Sequence, residues 1–469
     1  MKRSVTKNYL YNLSFQILQL ITPLVLTPYL SRTLGADGIG TYGYVQSIVV
    51  IFMLFGTMGI SMYAQREIAY VQDDIEKRSY IFFEIVILRA ITIGIVYLVY
   101  FFVFMSSGTE MVVFRIASIE IIAAVFEISF FFQGINNFKV TVFRNIIIKI
   151  ISVILIFVFV KTKEDINLYI FILCGMMLVG NLSIWCYLPK EIIIPKISRL
   201  RPFRHLKSTL ALFLPQIAMQ IYTVLDKTML GVLSNKTQVG YYESVQKIVV
   251  VSMTVITSLG TVMLTKVANT LALKDKDEVK NSILNAFHFV FFLATPMTFG
   301  MISIAPQLVP WFLGEGFVDS TILLEMMAPL ILISGLSNVL GMQYLVPSRN
   351  HKQYTYAVFA GAISNIVLNL ILIPYFKAAG ATVATIVAEI IVLVVECYFV
   401  RKEFSFWSIL KFNYKFILAS IIMYLLLSII FTEINFFIKI IVGGLIYIFI
   451  CALLFIKEIR NLNIKRFEL

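Results

Sequence analysis

The chain has 469 residues, 59% of them hydrophobic and only 14% charged, with a mean hydropathy of +0.90. A soluble globular domain carries about a quarter charged residues, so this composition excludes one and places the chain in lipid. The net charge of +13 then reflects the Lys and Arg that membrane proteins gather in cytoplasmic loops, and no nucleic-acid partner is expected.

The opening MKRSVTKNYLYNLSFQILQLITPLVLTPYLS has a basic start and a long apolar run but no small-x-small cleavage site, so it reads as a first span that is retained. A helix needs about 20 apolar residues to cross ~30 Å of hydrocarbon. About fourteen such stretches follow one another, at 9–31, 41–63, 80–105, 112–133, 140–160, 167–188, 209–231, 241–264, 282–305, 321–345, 354–374, 378–400, 415–432 and 436–456. They are too long and too uniformly apolar for barrel strands. The expected fold is an all-α polytopic bundle of about 14 transmembrane helices.

Alternate connections between these stretches hold 28 and five of the Lys and Arg residues. Since cytoplasmic loops hold the excess, both termini are expected in the cytoplasm. No connection exceeds about 20 residues, which leaves no room for a soluble catalytic domain and argues against an enzyme. The four cysteines lie in apolar spans without zinc-type spacing, and His205, His288 and His351 are far apart. Free thiols, no metal and no cofactor are expected.

GTYGYVQSIVVIFM (residues 40–53) and GYYESVQKIVVVSM (residues 240–253) lie 200 residues apart and agree at eight of fourteen positions. The informative pairs are Gly40/Gly240, Tyr42/Tyr242, Gln46/Gln246 and Met53/Met253. A weaker echo sets Asn137-Phe138-Lys139 against Asn350-His351-Lys352. Six spans separate the matched elements, so the repeats enter the membrane in the same sense and are related by an axis along its normal. The expected domains are an N-terminal six-helix lobe (1–188), a basic cytoplasmic linker (189–208), a C-terminal six-helix lobe (209–400), and an added helix pair with a basic tail (401–469). Lobes of this kind enclose a substrate cavity and alternate its access by rocking.

Ionisable residues inside spans are costly unless paired or hydrated, and each is a functional candidate. Asp226 and Lys227 interrupt an apolar stretch some 7 Å from the outer end of span seven, at 1.5 Å of rise per residue. Lys247 lies at a similar depth in span eight, with Glu243 one turn above it. Lys227 and Lys247 are long enough to snorkel to the headgroups, whereas Asp226 is not. Arg89, Glu120, Lys149 and Glu389 lie deeper; Glu120 and Glu127 share a helix face, as do Glu389 and Glu396. Arg89, Lys149, Lys227 and Lys247 are the candidate cavity cations for substrate. Glu120, Asp226 and Glu389 are the candidates for ion coupling or gating, and Gln46 and Gln246 for a polar cavity wall. The competing role is buried pairing of Arg89 or Lys149 with a Glu, which holds helices together without touching substrate.

Three further features have simpler readings. Asp275-x-Asp277 has the spacing of a metal-bound sugar-nucleotide site but no nucleotide-binding domain around it, so it reads as solvated loop. The segment PKEIIIPKISRLRPFRHLKS (residues 189–208) is basic and amphipathic and suits an anionic lipid surface. WFLGEGF (residues 311–317) reads as an interfacial aromatic anchor.

TPYLSRTLGADGIGTYGYVQSI (residues 27–48), FFFQGINNFK (residues 130–139), LDKTMLG (residues 225–231) and AAGATVATIVAE (residues 378–389) resemble, in order and spacing, the bacterial polysaccharide flippases. These are the O-antigen and capsule transporters of the multidrug/oligosaccharidyl-lipid/polysaccharide superfamily. The resemblance covers nearly the full chain. It implies translocation of an undecaprenyl-diphosphate-linked oligosaccharide between leaflets of the bacterial cytoplasmic membrane, with proton or sodium as coupling ion and polysaccharide polymerase or export proteins as partners. Arginines line the cavity in related precursor flippases; the mixed Arg and Lys here do not reproduce such a set position by position. A drug/cation antiporter of the same superfamily shares the two-lobe repeat but usually stops near twelve spans. An integral-membrane polysaccharide polymerase or ligase is expected to carry a large external loop that this chain lacks.

Overall fold

The computed structural model describes residues 5–106, 110–272, 276–432 and 434–456. Asp275 and the basic tail beyond residue 456 lie outside the described residues. Among the described residues there is no strand. The helices are α1 (Val5–Thr57), α2 (Ile60–Tyr70), α3 (Ile75–Tyr100), α4 (Met111–Val125), α5 (Ser129–Gly134), α6 (Phe138–Phe159), α7 (Ile166–Ser183) and α8 (Leu206–Leu233). They continue with α9 (Lys236–Ala272), α10 (Lys276–Leu313), α11 (Thr321–Met327), α12 (Leu330–Leu340), α13 (His351–Val400), α14 (Phe406–Ile429) and α15 (Phe436–Leu454).

Each of the fourteen apolar stretches falls on helix, although the helices do not map onto them one to one. Helix α1 carries the first stretch and most of the second, which ends in α2, and turns between them at Gly35, where φ is 70° and ψ −178°; glycine meets that conformation without a Cβ clash. Helix α13 carries stretches eleven and twelve across a break at Lys377. The fourth stretch is split into α4 and α5 by residues 126–128, and π-helical turns close the third and tenth, at Phe101–Met105 and Gly341–Leu345. Nine helical segments among the described residues are long and apolar enough to cross a membrane. The chain is a multi-pass membrane protein.

Two compact units divide the chain at Gly240/Tyr241. The core of the first packs Ile60, Ile68, Phe82, Ile85, Phe130, Phe131 and Phe132. In the second unit, α14 and α15 seat on α10: Ser420 donates to Thr295 Oγ1 at 2.8 Å, and Tyr447 donates to the Phe292 carbonyl at 2.8 Å. Large apolar side chains such as Leu445 and Phe449 stay exposed on α15, as a face turned to acyl chains requires.

The segment that leads into α8 is pinned to the first unit at both ends. Arg78 donates to the Glu191 carbonyl and carboxylate and to the Gln72 carbonyl. The buried Glu84 carboxylate takes the Arg201 backbone N–H at 2.8 Å, the Arg204 guanidinium at 2.6 Å and His205 Nε2 at 2.9 Å. His205 Nδ1 lies 2.8 Å from the Tyr63 hydroxyl. Between the pins Ile194, Ile197 and Phe203 are exposed.

The weaker repeat echo has a shared backbone. Asn136 and Arg349 both adopt positive φ, 57° and 60°. The next residue's N–H reaches back five positions in both cases, Asn137 to Phe132 and Asn350 to Leu345. That is the six-to-one closure of a helix end with a left-handed residue. A new helix starts directly after each, at Phe138 and His351.

Candidate functional site

The repeat glycines meet in the first unit. A Cβ on Gly40 would overlap the carbonyl of Lys236, and a Cβ on Gly240 would overlap the carbonyl of Ala36. Ala36 and Lys236 are themselves repeat equivalents, so the crossing is pseudo-symmetric. Its spacing on each helix is residue i against i+4, which lets two backbones touch only where the interface residue is small. The crossing continues along α1 and α8: Tyr44 packs its ring where a Cβ of Gly231 would sit, and Ser47 Oγ lies 2.7 Å from Thr228 Oγ1. The Lys236 ammonium pairs with the Glu110 carboxylate.

Asp226 and Lys227 precede Thr228 on α8, so the charged dipeptide sits beside this crossing; Asp226 is 2% exposed and Lys227 half-buried. Gln46, the residue before Ser47 on α1, donates to Glu120 at 3.0 Å and joins α1 to α4. Those two candidates are brought together.

Arg89 is 3% exposed, and its Nη1 donates to the Glu127 carboxylate at 3.1 Å, the Glu127 carbonyl at 2.8 Å and Ser61 at 3.3 Å. Glu127 also accepts the Ser129 N–H, and Arg144 bridges Ser129 to Asn181. This network fills the break between α4 and α5, where freed backbone groups need partners. Arg89 therefore has the helix-holding arrangement. Lys149 is half-buried on α6.

In the second unit Lys247 pairs with Glu243 at 2.8 Å, one turn apart on α9. Gln246 is half-buried beside them. Glu389 on α13 accepts from Ser334 on α12 at 3.0 Å, and Glu396 accepts from Ser337 at 2.8 Å. The four cysteines are free. Among the described residues, no group of three or more His, Cys, Asp or Glu side chains is placed to hold a metal.

Sequence reading missed the Ser47–Thr228 contact and the Glu84–His205–Tyr63 chain, because neither has a local spacing. The available signal for the second was Glu84 inside an apolar span, which had to find a partner somewhere.

An all-helical multi-pass bundle with internal repeats and charges held inside its spans is the architecture of a membrane transporter. The chain belongs to the polysaccharide biosynthesis protein family, whose model matches residues 5–264; the MatE family model matches residues 211–371. The chain is 25% identical to a putative O-antigen transporter of Escherichia coli K12 over 86% of this chain and 98% of that protein. It is 22% identical to a probable low-salt glycan biosynthesis flippase of Haloferax volcanii over 41% of this chain and 40% of that one. In fold it is similar to a solved structure of the lipid II flippase MurJ in an inward closed conformation, with a TM-score of 0.74 at 18% identity, over 96% of this chain and 100% of that one. It is also similar to an inward-facing multidrug transporter of the MATE family, with a TM-score of 0.57 at 14% identity, over 84% and 99%.

Proposed function

We propose that this protein is a flippase that carries an undecaprenyl-diphosphate-linked oligosaccharide from the inner to the outer leaflet of the bacterial cytoplasmic membrane. It works by alternating access coupled to an ion gradient, with both termini cytoplasmic, and it is a transporter rather than an enzyme. The relatives named as O-antigen transporters and glycan flippase support the substrate class. The observation that carries the mechanism is the glycine crossing of Gly40 and Gly240. A backbone contact without side chains to disengage can open and reclose at low cost, which suits a gate on the outer side.

In this reading Lys149, Lys227 and Lys247 contact the diphosphate, since ammonium groups neutralise phosphate oxygens by charge-assisted hydrogen bonds. Arg89 serves through its pair with Glu127, setting the break in the fourth span. Glu120 and Asp226 adjust the gate, Glu389 senses the coupling ion, and Gln46 and Gln246 line the polar path for sugar. The repeat halves, residues 1–188 and 209–400, are the rocking lobes, and polymerase or export proteins take the product.

The test is transport of a labelled undecaprenyl-diphosphate oligosaccharide in proteoliposomes, with wild type beside Arg89→Ala, Lys149→Ala and Asp226→Asn at matched reconstitution. Wild-type flipping that collapses in Lys149→Ala and Asp226→Asn supports the reading. The MatE match favours a second one, a cation-coupled drug antiporter. Exchange of a small organic cation with no movement of the lipid-linked glycan would establish that reading in place of the first.

A further inference from the structure

We propose that Glu396 is a proton-carrying carboxyl of the second unit; its use in transport rests on the ion coupling proposed above, but its existence does not. Glu396 lies on the second half of α13 and is 0% exposed. Its Oε2 accepts from Ser337 at 2.8 Å, while its Oε1 is buried without a hydrogen-bond partner. Among the described residues no cation pairs with it. A buried carboxylate lacking a counter-cation and half its hydrogen bonds is strongly disfavoured, so the neutral acid is the form that fits this site. Oε2 already receives a donor, which leaves Oε1 to carry the proton.

The surroundings of Oε1 select a proton over a metal. A Cβ on Gly341 would come within 2.5 Å of Oε1 and 2.7 Å of the Tyr354 ring. The space against Oε1 is thus held by a bare glycine and an aromatic edge. Sodium or magnesium would require several further oxygens around it. Gly341 is also the first residue of the π-helical turn Gly341–Leu345; such turns are single-turn irregularities found often at functional sites. The titratable groups facing Glu396 are Glu389 and Cys397 on its own half of α13 and Tyr354 near the start of that helix, while α12 turns Ser334 and Ser337 toward the two carboxyls. The step is a simple exchange: the carboxylate takes H+ at Oε1, the acid later returns it to water, and no other bond changes. Loss of that proton would place a negative charge on the face shared with Glu389. The two serine contacts that join α12 to α13 would then differ in strength between the two states, which is the differential interaction a coupling site needs.

The experiment is infrared difference spectroscopy of the full-length protein in lipid nanodiscs, taken between neutral and alkaline buffer in H2O and D2O. The expected result is a protonated-carboxyl C=O band that titrates away in wild type, is missing in Glu396→Gln and persists in Glu389→Gln. Ser337→Ala keeps the acid but removes its donor, so the band moves in frequency without vanishing. A band of equal size in wild type and Glu396→Gln overturns the proposal, as does a band unmoved in Ser337→Ala or one removed by sodium at constant pH. In the glycan assay, Glu396→Gln should lose the acceleration caused by an imposed pH gradient. If wild type shows the band but flips no glycan, the transport reading fails and the proton site stands.

Discussion

Gly40 and Gly240 occupy equivalent places in an internal repeat and lie against each other's neighbouring backbone, each where a methyl group would overlap a carbonyl four residues before its partner. Each glycine must be bare because the opposing helix brings a carbonyl into the place its Cβ would take.

Replacing either glycine by alanine should therefore lower stability by about 1–3 kcal/mol, the usual cost of overpacking. Gly94, whose added Cβ would meet nothing within 4 Å, is the control. Gly94→Ala should be neutral or stabilising by up to ~1 kcal/mol, from helix propensity alone. Thermal melts of the purified protein in one detergent distinguish the two, and equal melting points for Gly240→Ala and Gly94→Ala would remove the crossing's energetic role.

The Arg89–Glu127 pair should be more costly to break than to remove. Glu127→Leu alone leaves the buried Arg89 charge unpaired and should cost about 3–5 kcal/mol, Arg89→Leu leaves the half-buried Glu127 and should cost less, and the double substitution should recover much of the larger loss. A double-substitution cycle on thermal stability measures the coupling. Additive losses would mean that the two side chains stabilise the α4–α5 break independently.

Glu84 should hold the segment before α8 in place. Glu84→Gln keeps the shape but weakens the contacts to Arg204 and His205, so amide exchange over residues 192–205 should rise by at least tenfold, corresponding to ~1.4 kcal/mol of local opening. The Arg201 amide, which donates directly to Glu84, should respond most. Unchanged exchange there would mean that Arg78 alone secures the segment.

Asp74 caps α3, and its carboxylate accepts the Lys77 N–H at 3.0 Å. That backbone hydrogen bond, with the Lys77 ammonium beside it, holds the Asp74 carboxyl below its ordinary value. A depressed folded-state value means that the cap's contribution is fully present above the unfolded value near ~4 and is lost as pH falls through the folded one. Exchange of the Lys77 amide, corrected for intrinsic rates, should accelerate on acidification in wild type. In Asp74→Asn it should be pH-independent over the same window.

Sequence alone determined the solvent, the helical class and the existence of the sequence repeat. Those follow from composition, from runs of about 20 apolar residues, and from identities at a fixed offset, and none of them depends on which residue touches which. It also marked the ionisable residues within spans as unusual, since lipid makes any such residue expensive wherever it points. Tertiary structure decided what those residues touch. Arg89 meets Glu127 across 38 positions and Gln46 meets Glu120 across 74, and no helical or strand period encodes separations of that kind. The helix break at 126–128 was hidden for a related reason: it falls inside the fourth apolar stretch, because backbone geometry there is set by packing and hydrogen-bond supply rather than by polarity, whereas the break at Lys377 falls in the gap between stretches eleven and twelve. The glycine crossing lies between these two cases. The repeat made Gly40 and Gly240 visible as equivalents, but only the folded chain brings the equivalents to the same place, where the absence of a side chain becomes the contact itself.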